Sequence, residues 1–325
     1  MDDAALLGGM EEEWWALWSR SSRATAFQSP AWLLPWWRTF GRGRLATIAL
    51  RRGGRLVALA PLAVDDADGA CRTVRLVGSG NSDHLDLLAE DGCEDACAAA
   101  VLEQLDACRE RWDLCDLHCL PRDSPLLSTR PPRGWIRDAG AAELRPVLRL
   151  GHGSGAPGDV PPAMWARARY YRRRAARMGA LEVERATERT ADAMLDTLFA
   201  LHGARWGARE MPGVLADGDV RAFHHDAATC LAARGLLRLY VMRLDGRPIA
   251  ALLAFADRRR VCYYIGGFDP AAERLSPGTM LIAHAIEEAS RAGAREFDFL
   301  LGAEPYKYRW GARDRASWRL TLRHP

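Results

Sequence analysis

The chain has 325 residues, about half of them apolar, with 45 basic and 42 acidic side chains and a formal net charge of +3. That length suits two domains with sizeable cores, and the near-balance of charge excludes a general nucleic-acid binder unless a local basic patch exists. The acidic start MDDAALLGGMEEEWW is unlike a secretory signal, and no apolar run approaches the ~20 residues of a membrane span.

A cytoplasmic location is therefore expected, with the eight cysteines reduced and structural and no metal bound; no two cysteines have the spacing of a zinc knuckle.

Two helices are predicted first, over 11–19 and 30–40, the second with Ser29 as N-cap, Pro30 at its first position and a kink at Pro35. The runs RLATIALRR, RLVALAPLAV, RTVRLVG and HLDLLAE then read as strands. A helix follows from Glu94 to Trp112, and DLCDLHCL is the strand after it. Residues 151–162, GHGSGAPGDVPP, read as a linker. The expected domains are thus 1–150 and 163–325.

The second half begins with a basic helix ending in YYRRRAARMGA (170–180), then a strand over 181–187 and helices over 191–206 and 219–233. A three-stranded meander follows, with a hairpin at Asp245-Gly246. SPGTMLIAHAIEEASRAGA is a helix with Leu281, Ile282, Ala285, Ile286 and Ala289 on one face. REFDFLLG is a strand, PYKYRWG a short helix, and ASWRLTLR a closing strand. Both halves run strand pair, further strand, long helix, strand, which predicts two copies of one α/β unit.

Three stretches carry candidate chemistry. Ser276, Pro277, Gly278 and Thr279 open a helix whose unpaired N–H groups and positive dipole end suit a pyrophosphate, or simply cap it. The equivalent helix of the first half opens EDGCEDA, whose carboxylates would repel a phosphate, so an anionic ligand is expected only in the second half. Lys307 is the one lysine among 45 basic residues, set between Tyr306 and Tyr308 in the first turn of a short helix, where the dipole disfavours it. It needs a ligand phosphate, a developing negative charge, or an ordinary salt bridge to Glu304 or Asp298. Third, RARYYRRRAARMGA interleaves arginines with aromatics, as in an RNA-binding segment, a solvated helix face or a surface recruiting an anionic substrate. The histidines His84, His224 and His225 are expected to be structural.

The pattern FDF followed by G-x-x-x-YK-x-x-x-G, preceded by YYIGGFDP and SPGT, resembles the CelD-like acetyltransferases. These are a branch of the GNAT N-acyltransferase superfamily, related to the Fem-type peptidyltransferases that use aminoacyl-tRNA. SPAWLLPWWRTFG and LHGARW fit the same family, whereas SPGT is a reduced version of the usual GNAT phosphate loop. The resemblance implies tandem GNAT-like α/β folds with mixed, largely antiparallel sheets flanked by helices, the first copy degenerate. It implies transfer of an acyl group, acetyl by preference, from acyl-CoA to an amine of a small-molecule or glycan-related, cell-envelope acceptor. The alternatives are an aminoacyl-tRNA donor and a non-catalytic binding protein.

Under the acyltransferase reading Lys307 stabilises the oxyanion and Tyr306 or Tyr308 protonates the leaving group. Asp298 or Glu304 accepts the amine proton. Tyr263 or Tyr264 borders the substrate, as do Arg205 and Trp206, and Ser276–Thr279 hold coenzyme A.

Overall fold

The structure, a computed structural model, describes residues 4–66, 71–151, 158–207 and 213–324. Residues 152–157 of the expected linker lie outside the described residues. By contacts the chain divides into two compact units: Met1–Leu144 together with Ala316–Pro325, and Arg145–Arg315.

The first unit contains α1 (Ala4–Gly9), α2 (Glu11–Arg20), α3 (Pro30–Phe40), β1 (Arg44–Leu45), β2 (Ile48–Arg52), β3 (Arg55–Ala60) and β4 (Leu62–Asp65). It continues with β5 (Thr73–Leu76), β6 (Leu88–Ala89), α4 (Glu94–Ala107), β7 (Leu114–Pro121), α5 (Pro125–Ser128) and most of β8 (Ile136–Arg149). The predicted run 44–52 divides at Ala46–Thr47, because β1 pairs with β4 whereas β2 pairs with β3 in a separate three-stranded sheet. The run 55–64 breaks at Pro61, which has no N–H to give a ladder. HLDLLAE contributes only Leu88–Ala89 as a strand, and the helix from Glu94 ends at Ala107 rather than Trp112. Ser29 does stand at the N-cap of α3, but its hydroxyl donates back to the Ala26 carbonyl at 2.6 Å.

The second unit contains α6 (Pro162–Ala176), β9 (Leu181–Arg185), α7 (Ala191–Gly207), α8 (Gly218–Ala233), β10 (Leu237–Leu244), β11 (Arg247–Ala256) and β12 (Arg260–Phe268). Then come α9 (Pro277–Arg291), β13 (Glu296–Asp298), α10 (Pro305–Arg309) and the start of β14 (Arg313–Arg323). Strands β9 to β12 form an antiparallel meander, and β13 joins β12 in parallel after the α9 crossover. The first unit repeats this plan: β4 and β5 are antiparallel, and β7 joins β5 in parallel after α4. Each closing strand lies outside its own run of sequence. Ser317–Leu322 of β14 pair with β7 in the first unit, and Val147–Arg149 of β8 pair with β13 in the second. The fold class is α/β with largely antiparallel sheets flanked by helices.

The core of the second unit sits between α9 and the meander. The expected face of α9 (Leu281, Ile282, Ala285, Ile286, Ala289) is buried against Leu252, Ala254 and Phe297. On the other face α7 lies flush on β12: a Cβ on Gly267 would stand 2.4 Å from the His202 backbone nitrogen, so only glycine permits this approach. No helix among the described residues is long and apolar enough to cross a membrane.

Candidate active site

The site begins with a mismatch in strand length. β12 and β13 pair only at Arg260–Glu296, Val261–Phe297 and Cys262–Asp298, yet β12 continues to Phe268. Past Cys262 that edge of β12 has no neighbouring strand, and its backbone groups point into an opening. A bulge sits there, because Ala254 opposes Tyr263 while Leu253 opposes Ile265, leaving Tyr264 as the extra residue. The bulge sends the two tyrosines apart. The Tyr264 ring packs on Phe255 and His224, with centroids 5.2 and 5.5 Å away. Tyr263 turns toward Phe297 and Phe299.

The opening is a cavity of about 260 Å³. Tyr263, Gly266 and Phe268 of β12 form one wall, and Ser276–Thr279 at the start of α9 another. Arg205 of α7, Tyr306 and Arg309 of α10, Met164 of α6 and the acidic Glu273 just ahead of α9 also line it. Of the thirteen residues named for the site from sequence, this cavity gathers seven: Ser276, Pro277, Gly278, Thr279, Tyr263, Tyr306 and Arg205.

At the end nearer the sheet, the Tyr263 and Tyr306 hydroxyls interact. Burial raises the pKa of both phenols, and the neighbouring Tyr263 and Glu304 add to the effect on Tyr306, while Arg205 opposes it. Both are therefore neutral donors at physiological pH. The Tyr263 oxygen lies against Gly266, where an added Cβ would come within 2.8 Å of it.

At the other end Ser276 is left-handed (φ +50°) and its hydroxyl does not cap α9. Instead it hydrogen-bonds the Tyr171 phenol, lowering that group's pKa, with Arg167 adding a contact at 3.3 Å. The capping role expected for Ser276 thus gives way to a link between α9 and α6. Thr279 and Met280 spend their N–H groups on the Ser276 carbonyl, at 3.0 and 3.2 Å. Pro277 has no N–H, so Gly278 alone in this turn offers a backbone donor to the cavity. The space above Gly278 is open, with Phe268 Cδ1 the nearest atom to an added Cβ at 3.9 Å.

The remaining six, Tyr264 among them, lie elsewhere. Lys307 is buried, and its ammonium donates to the carbonyls of Leu300 (3.3 Å), Leu301 (2.6 Å) and Gly302 (3.1 Å), with Glu304 Oε2 at 2.9 Å. Three donors are thus matched by four acceptors, one of them the Glu304 carboxylate offered from sequence as a salt-bridge partner. Glu304 is half-exposed and folded onto Lys307. Asp298 is fully buried and accepts from the Leu300 N–H at 2.8 Å. Trp206 donates to His202 Nε2 at 2.8 Å. Burial, with Arg205 nearby, pushes His202 down to about 4, so its ring is neutral and able to accept. Tyr308 lies outside as well, bonded to Asp314.

Sequence reasoning passed over Arg309, Phe268 and Met164. Arg309 was within reach, since it stands three residues beyond Tyr306 on one helix and so shares its face.

Residues 164–308, all within the second unit, match the family model for an acetyltransferase (GNAT) domain. Among solved structures the whole chain is similar to FemX, at 12% identity over 95% of each chain with a TM-score of 0.69. It is similar too to the C-terminal domain of a putative lysylphosphatidylglycerol synthetase from Agrobacterium fabrum, at 13% identity over 97% of this chain and 92% of that one, TM-score 0.65. A third likeness is to L-PGS from Bacillus licheniformis, at 12% identity over 95% and 90% of the two chains, TM-score 0.61. At such identities the likeness establishes the fold. No curated protein sequence matches the chain. The second unit therefore has a GNAT-like fold and is similar over residues 164–308 to a GNAT acetyltransferase domain.

Proposed function

We propose that the protein is an N-acyltransferase whose second unit transfers an acyl group, acetyl by preference, from acyl-CoA to an amine. The observation that carries this reading is the single cavity joining the start of α9, the unpaired edge of β12 and the Tyr263–Tyr306 pair. The unpaired edge offers N–H and C=O groups to the amides of an extended donor arm, as in strand addition. Gly278 leaves room and one N–H for the donor's phosphate end, and the wall adds Arg205, whose Nε has no acceptor among the described residues.

An incoming amine attacks the acyl carbonyl, charge collects on the carbonyl oxygen, and the sulfur leaves with the electron pair. A neutral phenol hydrogen-bonds either developing charge. Tyr306, with its raised pKa, holds its proton and stabilises the charge as a donor. Full proton transfer from so weak an acid to a thiolate is uphill, so the amine proton ends on the sulfur through water or the phenol pair. The acceptor in this reading is a small-molecule or glycan-related amine. Release of free thiol from acetyl-CoA, dependent on an added amine, tests the reading. Amino sugars, polyamines and amino acids form the first panel, and acetylated product is confirmed by mass.

One observation favours a second reading, in which the donor is aminoacyl-tRNA. Helix α6 exposes Arg167, Arg169, Arg173 and Arg174, Arg177 follows it, and no carboxylate occurs between Asp159 and Glu182. FemX and the lysylphosphatidylglycerol synthetase share the fold, which makes a charged-tRNA arm of the same assay worthwhile.

A further inference from the structure

The start of α9 is a poor anion holder by itself. Its first turn carries no basic side chain, and Gly278 supplies the one N–H that neither proline chemistry nor the Ser276 carbonyl removes. A diphosphate brings two negative charges, so a cation must come from another element. Two arginines line the cavity, Arg205 and Arg309.

Other half-buried arginines of this unit have partners: Arg172 pairs with Glu287, Arg260 with Asp257, and Arg238 donates to the Gly235 and Leu237 carbonyls. Among the described residues Arg205 has no carboxylate partner, and its Nε is buried with no hydrogen-bond acceptor. A buried guanidinium N–H left unmatched costs free energy that a ligand oxygen would restore. Its guanidinium lies 5.0 Å from the centroid of the Phe268 ring, which fixes its plane. The same ring is the nearest neighbour of Gly278. Arg205, on a helix 70 residues earlier in sequence, and Gly278 at the start of α9 thus neighbour the same aromatic ring.

We propose that Arg205 is the phosphate-binding cation of this cavity, taking over from α7 the role that the start of α9 lacks the side chains to fill. It rests on the acyl-CoA reading for the identity of the ligand, and the diphosphate of coenzyme A is that ligand.

The test uses the full chain and calorimetry with three probes: coenzyme A, pantetheine, which has the same arm without the diphosphate, and inorganic pyrophosphate. Arg205→Gln should weaken coenzyme A roughly tenfold to a hundredfold, the range of one charged hydrogen bond, and leave pantetheine unchanged. Arg205→Lys should recover part of the loss by restoring charge without the planar fork. Equal coenzyme A affinity in wild type and Arg205→Gln overturns the inference, as does an equal loss for pantetheine. If wild type binds no coenzyme A, the proposed function fails instead. In that case Arg205 keeps its role only if wild type binds pyrophosphate and Arg205→Gln does not.

Discussion

The ammonium of Lys307 lies 3.3 Å from the carbonyl oxygen of Leu300, a leucine held in the left-handed region at φ +58°. Such a conformation costs a non-glycine residue on the order of 1–2 kcal/mol, so the turn at 300–302 must be held by its surroundings. Asp298 holds it from the N–H side and Lys307 from the carbonyl side. The turn leads into α10 and so sets where Tyr306 enters the cavity. A compact ammonium fits among three converging carbonyls, and a planar guanidinium does not, which explains one lysine in an otherwise arginine-based chain.

Lys307→Ala should therefore lower unfolding free energy by about 2–4 kcal/mol, because buried carbonyls and Glu304 lose their partner. Lys307→Arg should be destabilised too. Urea unfolding of the two variants checks this. A variant with wild-type stability and a lost turnover would return Lys307 to direct chemistry.

Tyr306→Phe should lower kcat roughly a hundredfold, by removing one preorganised donor, with coenzyme A affinity retained. The raised phenol pKa adds a pH signature. Ionisation of Tyr306 in the folded protein falls above the ordinary value near 10, so between pH 7 and 10 the donor form persists. Rates should rise over that window as the amine substrate deprotonates, with no alkaline decline. A decline centred near pH 8 would contradict the assignment.

Much of the second unit was legible from sequence, for identifiable reasons. The apolar period of α9 and the Asp245-Gly246 turn are local signals, and they predicted elements that the structure contains. Placing Ser276–Thr279 and Tyr263 together required only the order of strand and helix. Of the setting of Lys307 only the Glu304 bridge was legible, because its other acceptors are backbone carbonyls arranged by a positive φ at Leu300, which no residue type announces. Strand β8 was missed because Ile136–Leu144 are mostly exposed and rich in alanine and glycine, so they lack the alternation that marks a half-buried strand. Arg205 was found through LHGARW, but the absence of an acceptor for its Nε among the described residues is a fact of three dimensions.

In the first unit, Asp86 is buried and accepts from the Ser124 hydroxyl at 2.6 Å and the Leu87 N–H at 2.8 Å, with Arg23 4.0 Å away. Burial outweighs these contacts and pushes its carboxyl up to about 7. The folded protein thus holds a proton that the unfolded chain, at the ordinary value of 3.8, releases. Stability from this group is present below pH 4 and is lost as pH rises through 7. Asp86→Asn keeps an acceptor for both donors without the charge. Its melting temperature should match or exceed that of wild type at pH 8, and the decline between pH 5 and 8 should flatten. An unchanged slope would show that Asp86 ionises freely.

The central claim is that the cavity at the start of α9 binds acyl-CoA, and Gly278→Asp tests it most directly. There is room for the side chain, and an acid in the first turn favours a helix, so the fold should survive with an unchanged melting temperature. The carboxylate would stand where the donor's phosphates must lie. Titrating coenzyme A into both proteins by calorimetry should show binding to wild type and at least a tenfold loss in the variant, about 1.4 kcal/mol or more. Equal affinity in the two proteins would contradict the account.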